Sequence, residues 1–158
     1  MKYRFEQLNL RDNEHYLALK QVEEWSDMCK TMRSYNFTQL VRHPLGLLAF
    51  LLKDNDPRDR GRFAGHVAIT EINEIGQRNF AKIGALAVGE EDQGNGLASA
   101  LIGELVRITP EAVPADIEGY YAYAHPDSLD SFLANGASVV GTRSTVPPPT
   151  GCNIIVAL

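Results

Sequence analysis

The residues best suited to chemistry fall in one short run, Gln93-Gly94-Asn95-Gly96-Leu97-Ala98. Two closely spaced glycines remove the Cβ atoms that would keep a ligand away from the backbone. A helix starting here leaves its first N–H groups without intrahelical partners, and such amides converge on anions, phosphate oxygens above all. The flanking residues supply that geometry. Upstream, Ile83, Ala85, Leu86, Ala87 and Val88 form an apolar run that ends at Gly89-Glu90-Glu91-Asp92, as a largely buried strand does. Downstream, Leu97, Leu101, Ile102, Leu105 and Ile108 recur at helical spacing, and Pro110 is expected to end that helix.

Strand, glycine loop and helix also occur in dinucleotide-binding units, but there the glycines follow the strand almost at once. Here five residues separate Val88 from Gly94, and Asp116 precedes the next apolar strand instead of ending it. No GxxxxGK[ST] loop is present.

The 158 residues suit one domain, expected to span 1–158. With 44% apolar and 22% charged residues the composition is globular, not disordered. The formal net charge of −5 argues against nucleic acid as a partner and favours a cationic substrate. The acidic run Gly89–Asp92 reads as a solvated turn. Cys29 and Cys152 lie far apart and outside any metal-ligand spacing, which suggests reduced thiols, a cytoplasmic location and no metal. The N-terminal residues lack an apolar signal core, and Leu45–Leu52 is too short to span a bilayer, so no membrane association is expected.

From the start, Tyr3–Leu8 alternates as a half-exposed strand, and a helix capped by Asp12 or Asn13 runs to about Trp25. A second, broken helical stretch covers Ser26–Arg42 and closes at His43-Pro44. Gly46–Lys53 and Phe63–Ile72 read as strands around the turn Asp54–Gly61, with a polar turn at Asn73–Asn79 before the strand of the first paragraph. Ile117–Ala124 is a strand, Asp127 opens a short helix closed at Asn135-Gly136, and Ser138–Arg143 pairs with Asn153–Leu158 around Pro147–Pro149. The order is β, α, α, β, β, β, loop, α, β, α, β, β. Three strands with short turns imply an antiparallel meander, and the helix after the loop allows one parallel crossover.

At Gln93–Ala98, preceded by the Ala85-Leu86-Ala87-Val88 strand end, the chain resembles the GCN5-related N-acetyltransferases (GNAT family), and the element order extends the resemblance over nearly the whole chain. The resemblance implies an α/β (α+β) fold: a mixed, mostly antiparallel sheet of about seven strands flanked by helices, its central strands splayed apart. It implies acetyl-CoA as co-substrate, with its pyrophosphate on the amides of Gln93, Gly94, Asn95, Gly96, Leu97 and Ala98 and its pantetheine arm along Leu86, Ala87 and Val88. It further implies direct acetyl transfer to a primary amine in a ternary complex. The acceptor, a small molecule or a peptide, would meet Trp25–Leu45 and the Ser144–Gly151 loop, where Trp25, Met28, Met32, Tyr35 and Phe37 offer an apolar wall.

Two familiar residues of the family are replaced. Aligned on Gly136, the final helix puts His125 at the usual Asn, Ser128 at the Ala and Phe132 at the acidic Tyr. These three are expected beside the cofactor, and His125 can titrate near neutral pH. Phe132 has no proton to give, so Tyr120, Tyr121 and Tyr123 become candidate acids, Tyr123 foremost. The strand glutamate of some members is Lys82 here, which leaves Glu71, working through a water, as the leading base, with His66 as another. The lost Tyr and Glu keep a second reading open, a catalytically weak acyl-CoA-binding or regulatory module. A third is a homodimer paired through an edge strand Asn153–Leu158.

Overall fold

Apolar runs of two periodicities build a seven-stranded sheet with helices on both faces in the computed structural model, which describes residues 2–28, 34–52, 60–143 and 151–158. The elements are β1 (Tyr3–Gln7), α1 (Asn13–Met28), α2 (Phe37–Arg42), β2 (Leu45–Leu51), β3 (Arg62–Ile75), β4 (Arg78–Val88), α3 (Leu97–Ala112), β5 (Ile117–Ala124), α4 (Pro126–Leu133), β6 (Ser138–Thr142) and β7 (Ile154–Ala157). Their order along the chain is the expected one. Across the sheet the strands run β1-β2-β3-β4-β5-β7-β6, antiparallel except for the parallel pair β4/β5.

β2 is apolar without alternation because both of its faces are covered. One face carries α3, whose Leu97, Leu101, Ile102 and Leu105 pack with Leu45, Leu47, Ile69 and Val156. The other carries α1 and α2, where Leu19, Val22 and Leu40 close over Ala68, Ala85 and Ala87. A reciprocal cap starts α2: Asn36 accepts from the Gln39 N–H, and the Gln39 side chain accepts from the Asn36 N–H. No helix among the described residues is long and apolar enough to cross a membrane.

Four expectations change. The polar stretch Asn73–Asn79 is mostly strand, since pairing continues to Ile75↔Arg78 and only Gly76-Gln77 turns, both at positive φ (58° and 69°). That two-residue hairpin turn is the tight kind that matches strand twist, and its flanks are polar because they reach solvent. Pro110 does not end α3 but lies inside its last part. The carbonyl its missing N–H would have bonded, Val106, accepts from Tyr120 Oη instead (3.4 Å). In the second helical stretch, Ser26–Met28 belong to α1 and Ser34–Asn36 are not helical, so α2 begins at Phe37; 29–33 lie outside the described residues. Finally, the C-terminal strand is no edge. β7 lies between β5 and β6 and is paired on both sides, so it offers no free edge to a second subunit. The expected turns at 54–59 and 147–149 lie outside the described residues.

Two irregularities shape the middle of the sheet. Between the pairs Ala68↔Gly84 and His66↔Ala87, β4 holds one residue more than β3, and Ala85 sits there at φ +51°. This bulge reverses the alternation: Ala81 and Ile83 face α3, whereas Ala85 and Ala87 face α1 and α2. The β4/β5 ladder runs only from Asn79↔Ile117 to Lys82↔Tyr121, although β4 continues to Val88 and β5 to Ala124. Past Lys82 the two strands part.

Candidate functional site

The glycine loop is held from below by Asp92. Its carboxylate is fully buried, takes both Arg62 Nη1 and Nη2 (2.7 and 3.0 Å) and accepts from Tyr3 Oη (3.1 Å). Burial and this bond to Asp92 both raise the Tyr3 pKa, and the carboxylate raises that of Arg62. Asp92 is therefore a latch, not the solvated turn residue expected, while its neighbours Glu90 and Glu91 are exposed. Above it, Asn95 Nδ2 donates to the Asp92 carbonyl (3.4 Å) and Gln93 Nε2 to the Val88 carbonyl (3.2 Å), tying the loop to the end of β4. Gly94 and Gly96 have φ of +80° and +76°, which L-residues adopt at a cost. No atom lies within 4 Å of a Cβ built on either, so the front of the loop is open. Leu97, buried, and Ala98 begin α3 immediately behind it.

The gap between β4 and β5 starts at the same end of the sheet. Ile83–Val88, Leu86 and Ala87 included, have no β5 partner among the described residues. His66 on β3 fixes the bulge: its Nδ1 donates to the Ala85 carbonyl at 2.8 Å, deep in the protein. It is not in a position to serve as a base, being wholly buried behind the sheet's own backbone.

At the point where the ladder ends, several side chains meet on the α2 face. Lys82 Nζ lies 3.1 Å from Glu71 Oε1 and 4.7 Å from the centre of the Tyr123 ring. The Arg143 guanidinium covers that ring at 3.7 Å, and Tyr121 meets it edge-on at 6.0 Å. Asn73 Nδ2 donates to Tyr121 Oη, whose pKa burial and the nearby Glu71 push up. Tyr120 points to the opposite face, against Val106 of α3, and burial raises its pKa too. Beside Glu71 and Lys82 opens a cleft of about 290 Å³, lined also by Tyr35, Gln39, Arg42, His43 and Thr70.

The α4 residues take structural places. His125 is the N-cap of α4: its Nδ1 accepts from the Asp127 N–H (3.0 Å), which occupies that nitrogen. Ser128 Oγ donates to the His125 carbonyl (3.1 Å), and Phe132 is buried in the core under α3. Of the residues expected to form an apolar wall, Tyr35 lines the cleft and the other described ones pack elsewhere or face solvent. Trp25 stacks on Phe63 (5.2 Å, 9° between planes), Tyr35 meets the His43 ring edge-on (5.6 Å), Phe37 packs against Tyr16 (4.8 Å), Met28 is exposed and Met32 lies outside the described residues. Away from the site, Glu6, Asp12 and His15 converge as metal ligands can, but Arg60 sits among them, 2.8 Å from Glu6 and 2.6 Å from Asp12. Sequence reasoning missed Asp92, Arg62 and Arg42. Arg62 lies too far from the loop in sequence for spacing to reveal the pair.

The family model described as "Acetyltransferase (GNAT) family" matches residues 5–130. The chain belongs to that family. Among solved structures the GNAT chain resembles a chain of the NatC complex bound to Gag peptide and CoA (14% identity, TM-score 0.73, covering 100% of this chain and 98% of that one). It also resembles Arabidopsis thaliana NAA60 in complex with acetyl-CoA (17%, 0.72, covering 99% and 98%). A third is the ribosomal-protein-S5-alanine acetyltransferase from Vibrio fischeri (13%, 0.72, covering 100% and 93%). At such identities the likeness is one of fold. No curated protein matches the sequence.

This GNAT chain has what acetyl-CoA needs. The open glycine loop faces one end of a gap whose β4 side has unpaired backbone, and the Glu71–Lys82–Tyr123 group stands where the gap closes. Loop amides fit a pyrophosphate, and a parted strand edge fits an extended arm that hydrogen-bonds as a strand would.

Proposed function

We propose that the chain moves an acetyl group from acetyl-CoA directly to a primary amine, with Glu71 and Tyr123 as its proton-handling groups. Acetyl-CoA supplies the thioester carrying the acetyl group. The amides of Gly94–Ala98 hold its pyrophosphate, and Gln93 keeps the loop against β4 through the Val88 carbonyl. Backbone groups of Leu86, Ala87 and Val88 line the arm, and an N–H among them donates to the thioester oxygen as it gains charge. The bulge at Ala85 is what turns this stretch out of register with β3.

An acceptor amine must lose a proton before it attacks, since an alkyl ammonium has a pKa near about 10.4. Glu71, half-exposed and oriented by Lys82, takes the proton through a water. Tyr123, on the same face as Glu71 and Lys82, would supply the proton that a leaving thiolate takes up. His125 and Ser128 hold α4 at the rim of the gap, and Phe132 fills the core under α3.

The observation that carries this reading is the end of the β4/β5 ladder at Lys82↔Tyr121, with Glu71 and Tyr123 gathered there. Thiol release from acetyl-CoA over a panel of amines at pH 7 to 9 tests it. Tyr123→Phe and Glu71→Gln should each lower kcat about 100-fold, the lower end for lost acid–base catalysis, while CoA affinity holds. Tight CoA binding with no acetylated amine would instead favour the binding-module reading.

A further inference from the structure

The cleft beside Glu71 points to one kind of acceptor. Glu71 and Lys82 neutralise each other at 3.1 Å. That leaves Arg42, at the end of α2, exposed and without a carboxylate partner among the described residues. Glu71 is the one carboxylate among the cleft's described lining residues. Arg143 adds a further cation on the adjoining ring of Tyr123. The chain's net charge of −5 is thus reversed locally, at the place where an acceptor meets the end of the gap.

Donors predominate in this cleft. Gln39 and Arg42 lie three residues apart on α2, the spacing that sets two side chains side by side. The Gln39 amide oxygen is taken by the Asn36 N–H (3.0 Å), so what it offers a ligand is its NH₂. A guanidinium next to an amide NH₂ is a carboxylate receptor, and the planar fork of arginine favours a bidentate grip. A second ammonium on the acceptor would meet like charge there.

We infer that the acceptor carries a carboxylate a few bonds from its amine, gripped by Arg42 and Gln39 while the amine lies at Glu71 and Lys82. This rests on the acetyl-transfer reading above. A cleft of about 290 Å³ suits an amino-acid-sized group. Both a free amino acid and the first residue of an acidic peptide have that chemistry.

The test compares kcat/KM within matched pairs. Free amino acids are set against their carboxamides, peptides beginning with Glu against the same peptides beginning with Gln, and spermidine stands as a cationic acceptor. The carboxylate member should win on the order of tenfold or more, the range of a charge-assisted hydrogen bond. Added salt and Arg42→Gln should both shrink that ratio. The pair showing the larger ratio tells free amino acid from peptide. Turnover with equal rates within pairs, or a preference for amides or spermidine, overturns this inference alone. No turnover of any acceptor, with acetyl-CoA still bound, overturns the acetyl-transfer reading with it.

Discussion

A histidine on β3 holds the shape of its neighbour. His66 donates from Nδ1 to the Ala85 carbonyl, so Nε2 is the bare nitrogen, and it is buried with no partner among the described residues. Charging that ring would leave a cation inside the protein, and burial pushes its pKa down from 6.5 to about 4, with His43 acting in the same direction and the Ala85 bond against it. The native state therefore binds fewer protons than the unfolded chain as pH falls below 6.5. Stability is present in full above the unfolded pKa and is lost toward the folded one. Between pH 7 and pH 5 the loss from this residue is about 2 kcal/mol. Urea midpoints across that range should fall, and His66→Asn, neutral at every pH, should flatten the slope. An unchanged slope in the variant would show that His66 does not titrate this way. The same variant keeps a donor near Ala85 and so should retain CoA binding better than His66→Phe.

Elements are fixed at longer range by the Asp92 latch, which joins β1 and β3 to the turn before the glycine loop. Removing one side of a buried pair strands the other charge. Because Arg62 is partly exposed, Arg62→Met should cost about 2–3 kcal/mol. It should also weaken CoA binding, since the loop amides lose the support that aims them. Denaturant titration and calorimetry check the two effects separately, and a destabilised variant with intact affinity would place the latch outside the binding site. The latch also marks where sequence stops being informative. Gln93–Ala98 was legible because a strand end, two glycines and a helical repeat are local signals. Asp92 looked like any acidic turn residue, because its partners Tyr3 and Arg62 come from distant strands. The bulge was invisible for a similar reason: Ala85 adopts φ +51° only because β3 and His66 demand it. Pro110 was read as a stop, and only the fold supplies the Tyr120 hydroxyl that takes over the Val106 carbonyl.

The whole molecule is two half-sheets joined at a short seam. β1 to β4 form one half and β5, β7 and β6 the other, and the strands connect only through the pairs from Asn79↔Ile117 to Lys82↔Tyr121. α3, crossing from the loop to β5, and its packing with α4 supply the rest of the union. A ligand seated in the gap touches both halves and therefore binds the folded state alone. Such a ligand stabilises by RT ln(1 + [L]/Kd), about 2.7 kcal/mol at a hundredfold excess over Kd. A chain of this size moves by about 2–4 °C per kcal/mol, so saturating acetyl-CoA should raise Tm by about 5–10 °C. Desulfo-CoA should do nearly as much, because the grip lies in the pyrophosphate and the arm, and NADH should do nothing. Gly96→Glu puts a side chain and a like charge at the open loop and should erase the shift while the apo Tm drops by only a few degrees, the cost of a left-handed non-glycine residue. An equal shift with NADH, or none with acetyl-CoA, would mean that the seam closes without a ligand and that the parted strands serve the fold and not the cofactor.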